Sequence, residues 1–133
     1  MRPRMTHVAV LARDIDASVD FYRRFAGLEE VHRRVEHGVT VVWLGHVDES
    51  QPFVVVLIAA DHADVVEPAP LAHFGYAVGS REEVDLRAAM AREEHRILQE
   101  PMDAGPIVGY FTMVKDPDGN WVEFSYGQSL GEE

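Results

Sequence analysis

Residues 109–127 read GYFTMVKDPDGNWVEFSYG, a pattern that predicts a β-hairpin. Two runs rich in aromatic and β-branched residues flank the turn sequence DPDGN at residues 116–120, where proline fixes φ and glycine or asparagine accepts a positive φ. Because side chains alternate along a strand, Glu123 lies on the face of the second arm opposite Val122 and Phe124. The hairpin therefore carries a carboxylate on one face and an apolar surface on the other.

Upstream of this hairpin, the same order of elements begins twice. In the first half, a strand leads to a helix that Asp14 caps and Gly27 ends, and three strands follow. In the second half, a strand leads to a helix with the capping-box sequence Ser80-Arg81-Glu82-Glu83, and a short strand and the hairpin follow. The predicted strands before the hairpin are Thr6–Leu11, Leu28–Val35, Val39–His46, Phe53–Ala60, Leu71–Val78 and Arg96–Glu100.

These elements predict an α+β fold built from two tandem βαβββ modules in a single domain, residues 1–133. Module one covers about residues 5–61, and module two covers about residues 71–127. The segment between them, about residues 62–70, contains acids and two prolines and is the predicted linker.

The composition restricts the possible partners and metal ligands. With 12 Lys+Arg against 23 Asp+Glu, the formal net charge of −11 argues against nucleic acid and anionic membranes as partners. The absence of cysteine excludes disulfides and thiolate ligands, so His, Asp, Glu or other oxygen and nitrogen donors would have to bind any metal. No apolar run has the length of a signal sequence or a membrane span, so we predict a cytoplasmic protein.

The internal repeat relates four positions to one another. His7 and His73 lie on the first strands of the two modules and precede the two helix caps by the same spacing. Val56 follows His7, and Glu123 follows His73, at nearly equal spacing on the last strands of the modules. A tandem duplication would bring these four positions around one axis, and three of them have side chains that can bind a metal.

Two imidazoles and one carboxylate are the ligands of the 2-His-1-carboxylate type of metal site. Such a site binds a divalent first-row metal and leaves coordination positions open for substrate. The donor set of His7, His73 and Glu123 suits Fe, Mn, Co, Ni or Zn and does not choose among them. The five remaining histidines lie in polar or loop-like stretches and are predicted to be surface residues: His32, His37, His46, His62 and His95.

The doubled pattern, the strand-borne His7 and His73, and the run DPDGNWVE at residues 116–123 resemble the vicinal oxygen chelate superfamily. That superfamily contains glyoxalase I, extradiol dioxygenases, epimerases, fosfomycin-modifying enzymes and bleomycin-binding proteins. The resemblance covers nearly the whole chain. It implies a curved mixed sheet of eight strands around a metal or ligand cavity, a homodimer, and His7, His73 and Glu123 as the metal ligands.

The sequence departs from parts of this family pattern. Glyoxalase I has a fourth ligand on the last strand of its first module, where this chain has Val56. Glu49 or Gln51 in the preceding loop is the alternative fourth ligand, whereas a set of three ligands resembles the extradiol dioxygenases more closely. The basic cluster with which the fosfomycin enzymes bind a phosphonate is not found near the proposed site.

Aromatic residues and one loop are further candidates for the site. Tyr110, in the first arm of the hairpin, is predicted to donate a hydrogen bond to a substrate oxygen or to act as an acid, with a place in the pocket wall as the alternative. Trp43 and Trp121 line either a ligand pocket or the core. The loop at residues 103–109 is either a flap over the site or an ordinary connection.

Three functions are compatible with these features. The first is a glyoxalase-like isomerase or lyase that acts on a small substrate with adjacent oxygens through a metal-stabilised enediolate. The second is an extradiol dioxygenase that uses Fe(II). The third is a protein that binds a drug or metabolite without chemistry, as bleomycin resistance proteins do.

Overall fold

The structure is a computed structural model and describes residues 1–50 and 52–130. Gln51, one of the two loop residues considered as a fourth ligand, lies outside the described residues. The chain divides into two compact units, of which the first ends at Val66 and the second begins at Glu67. The first unit contains β1 (His7–Ala12), α1 (Ile15–Ala26), β2 (Glu29–Glu36), β3 (Val39–Gly45) and β4 (Val54–Ala59). The second contains β5 (His73–Ala77), α2 (Arg81–Glu93), β6 (Ile97–Asp103), α3 (Gly105–Val108), β7 (Tyr110–Lys115) and β8 (Trp121–Tyr126).

The predicted fold class is confirmed, because both units contain the βαβββ order. The strands described form two four-stranded mixed sheets, in the orders β1-β4-β3-β2 and β5-β8-β7-β6. In each sheet the first strand pairs in parallel with the last, and the remaining pairs are antiparallel. The strands of each sheet thus come from one repeat of the sequence. Among the described residues, no helix has the length and apolar character needed to cross a membrane.

In the first unit, α1 begins and ends at the residues that the sequence predicts. The carboxylate of Asp14 accepts a hydrogen bond from the backbone N–H of Ala17, and Gly27 ends the helix with a φ of 68°. Apolar residues of α1 and of one sheet face are fully buried and form the core of this unit. These residues are Phe21, Tyr22, Phe25, Val42, Leu44, Val55 and Leu57.

In the second unit, α2 covers the sheet face that carries Phe124. Ser80 caps the helix by accepting a hydrogen bond from the backbone N–H of Glu83. The Glu83 carboxylate accepts from the N–H of Gly79, one residue before the cap, instead of from the cap itself as in the usual capping box. The predicted apolar stripe of α2 is fully buried and consists of Val84, Ala88 and Ala91.

The hairpin of β7 and β8 is confirmed, and the Asp116 side chain organises its turn. One oxygen of this carboxylate accepts hydrogen bonds from the backbone N–H groups of Asp118 and Asn120, each at 2.9 Å. The other oxygen accepts from the Asn120 side chain at 2.9 Å, and Gly119 has a φ of 89°. Local turn chemistry therefore sets the register that brings Glu123 opposite Met113.

The segment after α2 differs from the expectation. Strand β6 is longer than predicted and reaches Asp103, and the predicted loop contains the one-turn helix α3. Pro106 occupies one of the first helical positions, where its missing N–H costs nothing. Gly109 ends the turn with a φ of 81° and donates its N–H to the Gly105 carbonyl.

Candidate functional site

Glu123 is a buried carboxylate that lies over a glycine on the neighbouring strand. In the parallel pair of β5 and β8, Glu123 is the register partner of Gly75. A Cβ atom at position 75 would lie 3.0 Å from Glu123 Oε2 and 3.3 Å from its Cβ. Glu123 is 7% exposed, and within the described part of the chain its carboxylate has one hydrogen bond, a long contact of 3.5 Å from Gln128 Nε2. The glycine thus makes room for a carboxylate that is mostly removed from water and weakly partnered.

His73 lies on the same sheet face as Glu123. It is two residues before Gly75 on β5 and pairs with Trp121, so His73 and Glu123 are diagonal neighbours on adjacent strands. The Nδ1 atom of His73 is 2.7 Å from the backbone carbonyl oxygen of Leu71. Because a carbonyl oxygen can only accept, Nδ1 carries the proton, and Nε2 of the neutral ring has the free lone pair. A backbone carbonyl that fixes the tautomer in this way is typical of histidines that bind metals.

His7 has the corresponding position in the first unit. In the parallel pair of β1 and β4, Ala9 is the partner of Val56, as Gly75 is the partner of Glu123 in the second unit. Nδ1 of His7 is 2.9 Å from the Thr6 hydroxyl, and the ring is exposed. The first unit therefore supplies an imidazole at this position but no carboxylate, and it has Ala9 where the second unit has a glycine.

The donor set of the second unit fits two ligands of a divalent first-row metal. An imidazole with a free Nε2 and a carboxylate buried with one weak partner are donors that suit such an ion. Within either unit, as far as residues 1–50 and 52–130 describe it, three His, Asp or Glu side chains do not gather at one place. A site with three protein ligands therefore needs a donor in addition to His73 and Glu123.

Tyr110 lies on the opposite face of its sheet from Glu123. Glu123 pairs with Met113, and the alternation along β7 directs Tyr110 to the face that α2 covers. Its hydroxyl donates to Asp85 on α2 at 2.5 Å, and the Arg81 guanidinium carbon is 4.5 Å from its ring centroid. The hydrogen bond to the Asp85 carboxylate raises the pKa of Tyr110. This geometry does not support the predicted catalytic role of Tyr110, because the side chain connects β7 to α2 on the face opposite Glu123.

The His7 face of the first unit contains a pocket of about 340 Å³. Its lining includes His7, Arg34, Trp43, Pro52, Val54 and Val56. Trp43, predicted to line either a pocket or the core, lies in this pocket and is 38% exposed. His32 is exposed, as predicted, but its ring also packs against Trp43 at a centroid distance of 4.7 Å.

Sequence reasoning did not identify Arg34 and His32 as site residues. Strand β2 reads EEVHRRVE and is exposed along nearly all of its length, so its own pattern does not distinguish the two faces. Only the position of these residues relative to the neighbouring strand β3 indicates that they lie beside Trp43. After the irregularity between Glu30 and His32, the residues His32, Arg34 and Glu36 share a face, and the register places His32 directly opposite Trp43.

The candidate flap at residues 103–109 is held at both ends by backbone hydrogen bonds. The N–H of Ala104 donates to the carbonyl of Gly109 at 2.9 Å, and the N–H of Ser129 donates to the carbonyl of Ile107 at 2.8 Å. The loop at residues 103–109 borders a second cavity of about 320 Å³, which Arg81 and Tyr110 also line. Its role as a flap stays a prediction.

Comparisons with known proteins show what this chain is similar to. A sequence profile of the Glyoxalase/Bleomycin resistance protein/Dioxygenase superfamily matches residues 4–124. An uncharacterized protein of Pseudomonas aeruginosa is 37% identical over 131 residues, which cover 98% of this chain and 94% of that protein.

Two solved structures illustrate the shared fold. The trypanothione-dependent glyoxalase I of Leishmania major matches with a TM-score of 0.73 and 22% identity, over 95% of this chain and 88% of that chain. The fosfomycin resistance protein FosX of Listeria monocytogenes matches with a TM-score of 0.75 and 14% identity, over 98% of this chain and 97% of that chain. A mutant of the same FosX was solved in complex with Mn(II) and 1S,2S-dihydroxypropylphosphonic acid. At these identities the structures show a common fold only.

Proposed function

This chain belongs to the Glyoxalase/Bleomycin resistance protein/Dioxygenase superfamily, and we propose that it is a metal-dependent, glyoxalase-like enzyme. Its substrate would be a small molecule with two adjacent oxygens, and its reaction an isomerase or lyase step. The observation that carries the proposal is the weakly partnered, buried carboxylate of Glu123, which shares a sheet face with a histidine whose Nε2 is free. Burial of a carboxylate is unfavourable unless a cation or several hydrogen bonds compensate, and a metal ion would provide the cation.

We propose as ligands of this metal the three residues that the sequence predicts, His7, His73 and Glu123. Binding of Mn(II) by FosX supports a metal in this fold, and the donor set also suits Fe, Co, Ni or Zn. When bound, the ion would act as a Lewis acid that stabilises negative charge on two adjacent substrate oxygens.

The protein residues would have three tasks in this reaction. The Leu71 carbonyl holds the His73 ring in the tautomer that leaves Nε2 for binding. Gly75 leaves the space that the Glu123 carboxylate occupies. Glu123 is also our candidate for accepting the substrate proton, because it is the buried carboxylate of this face and a positioned carboxylate can act as a general base.

Metal analysis of the purified, untagged protein tests the proposal. We expect about one divalent metal per chain in the wild type and its loss in His7→Ala, His73→Ala and Glu123→Gln. The exposed His62 provides the matched control, since His62→Ala removes an imidazole from a loop and is expected to keep the metal. A His73→Ala protein with wild-type metal content, or a wild type that takes up no metal on reconstitution, contradicts the proposal.

Two alternative functions predict different experimental results. The three-ligand set also suits extradiol ring cleavage, which oxygen uptake with catechols after Fe(II) reconstitution would reveal. The apolar pocket of the first unit, where Val56 replaces a carboxylate, suits a protein that binds a metabolite without chemistry, and such binding would survive chelation of the metal. A homodimer and a cytoplasmic location stay predictions.

A further inference from the structure

Arg34 and Trp43 line the pocket of the first unit, and the His32 ring packs on Trp43; we call these three residues the Trp43 cluster. All three lie on the neighbouring strands β2 and β3. The His32 ring packs on the indole at a centroid distance of 4.7 Å, and the Arg34 guanidinium carbon is 5.6 Å from the indole centroid. Trp43 is nonetheless 38% exposed, so part of the indole remains open to a ligand. A partly open indole next to a guanidinium is suited to a planar ligand with a negative charge.

Arg34 has donor capacity that its protein partner does not use. Its Nε and Nη2 atoms donate to one oxygen of Glu36, at 3.2 Å and 3.0 Å. The Glu36 carboxylate thereby holds the guanidinium in place, while Nη1 has no partner among the described residues. Guanidinium groups bind carboxylates through charge-assisted hydrogen bonds, which are stronger than neutral ones. In a chain with a formal net charge of −11, this is a local site for an anion.

The remaining walls of the pocket set the size and character of the ligand. Pro52, Val54 and Val56 present apolar surface. The volume of about 340 Å³ is near the lower end of the range for small-molecule sites, about 300–1,000 Å³. The pocket is therefore suited to a single ring with a short polar group.

We propose that this pocket binds a small arylcarboxylate, with its ring against Trp43 and its carboxylate on Arg34. His7 lines the same pocket, so a ligand held there lies beside one of the proposed metal ligands. The inference deepens the proposed function and, as far as it concerns catalysis, rests on it, because it makes the substrate an aromatic acid with adjacent oxygens.

Binding to the metal-free protein tests this inference without measuring activity. The probe is phenylglyoxylate, which combines a ring, a carboxylate and an adjacent carbonyl, titrated in the presence of EDTA by isothermal calorimetry. The chain has two tryptophans, so Trp121→Phe leaves Trp43 as the only indole, and its fluorescence reports contact with the ring. Methyl phenylglyoxylate, which lacks the charge, and pyruvate, which lacks the ring, are the matched ligands.

We expect saturable binding of phenylglyoxylate that is at least about tenfold weaker for the ester and for pyruvate. Arg34→Gln is expected to weaken binding by about tenfold or more, and Arg34→Lys by less, because lysine keeps the charge without the planar fork. Arg33→Gln is the control, since Arg33 lies on the other face of the same strand, where it pairs with Glu30. Equal affinity of the Arg34→Gln and Arg33→Gln proteins, or equal affinity for the acid and its ester, overturns the inference.

The outcomes separate this inference from the metal site. Binding that persists in His73→Ala, which removes the proposed metal, supports the arylcarboxylate pocket even if the metal proposal fails. A protein that holds a metal but shows no saturable binding of phenylglyoxylate overturns the pocket assignment and leaves the metal site standing.

Discussion

Glu123 lies beside Gly75 on parallel strands, and its carboxylate occupies the space that any other side chain at position 75 would fill. Gly75→Ala is therefore expected to displace the carboxylate, since the new Cβ would lie 3.0 Å from Oε2. Because groups that fix the orientation of a metal ligand typically account for about 10- to 100-fold in metal affinity, we expect the displacement to weaken metal binding by a factor of that order. Competition with a fluorescent chelator measures this change.

Gly79→Ala is the control for that variant. Its added Cβ would also approach a glutamate, at 2.8 Å from Glu83 Oε2, but this carboxylate accepts a hydrogen bond from the Gly79 N–H at the start of α2 and has no place in the proposed metal site. Unchanged metal affinity in Gly75→Ala would show that the carboxylate does not bind the metal.

Asp116 fixes the turn that sets the hairpin register. Asp116→Ala is expected to destabilise the protein by about 2–4 kcal/mol, because the backbone N–H groups of Asp118 and Asn120 lose their acceptor in a buried turn. Urea denaturation measures the free energy of unfolding, and Asp48→Ala, at an exposed turn position, is expected to change it little. A loss no larger than that of Asp48→Ala would contradict the role of the turn.

The sequence was sufficient where local chemistry decides the structure. Asp14 and Ser80 cap helices, and Asp116 begins a tight turn, because each side chain bonds to the backbone two to four residues away. The alternation of side chains along β7 also correctly predicted that Tyr110 and Met113 lie on opposite faces of the sheet. Which of the two sheet faces a helix covers is decided by tertiary packing, so the prediction for Tyr110 had no local support.

Gly75 and Arg34 were missed for a related reason. Gly75 matters because it pairs with Glu123 and leaves space for the carboxylate. The residues next to Gly75 in the sequence do not reveal which residue it pairs with on a distant strand. Arg34 lies on a strand that is polar on both faces, so the hydrophobic alternation that normally identifies the inner face is missing.

Tyr110 is expected to have a structural role. Tyr110→Phe removes the hydroxyl that donates to Asp85 and should lower stability slightly, while metal content and turnover stay those of the wild type. Metal analysis and steady-state kinetics on the same preparation measure both effects. A large fall in turnover with normal stability would restore the catalytic assignment, and Glu123→Gln shows the size of effect expected of a true site residue.

Tyr76 makes stability depend on pH at the alkaline end. Burial raises the pKa of Tyr76, whose ring stacks on Phe124 at 5.9 Å, above the ordinary value of 10.0. The folded protein therefore holds the phenol proton more tightly than the unfolded chain does. The resulting stability is complete below pH 10 and is lost as the pH rises through the folded-state pKa, by at most about 1.4 kcal/mol per pH unit.

Urea denaturation between pH 8 and pH 11 measures this loss. Tyr76→Phe, which cannot ionise, is expected to lose less stability above pH 10 than the wild type does. Tyr126→Phe removes a more exposed phenol and is the control. Parallel alkaline profiles for the wild type and Tyr76→Phe would contradict the prediction.

Val56 and Ala9 are the counterparts of Glu123 and Gly75, so the repeat predicts how a fourth ligand can be introduced. Val56→Glu alone is expected to improve metal affinity little, because the Ala9 side chain stands where Gly75 leaves space in the second unit. The double variant Val56→Glu with Ala9→Gly recreates the arrangement of Glu123 and should bind the metal more tightly than the wild type in a chelator competition. It should also lose phenylglyoxylate binding, since the new carboxylate enters the pocket beside Trp43 and repels an anion. If both variants have wild-type metal affinity, the two modules do not contribute equivalent positions to one site, and the assignment of His7 as a ligand by analogy with His73 loses its support.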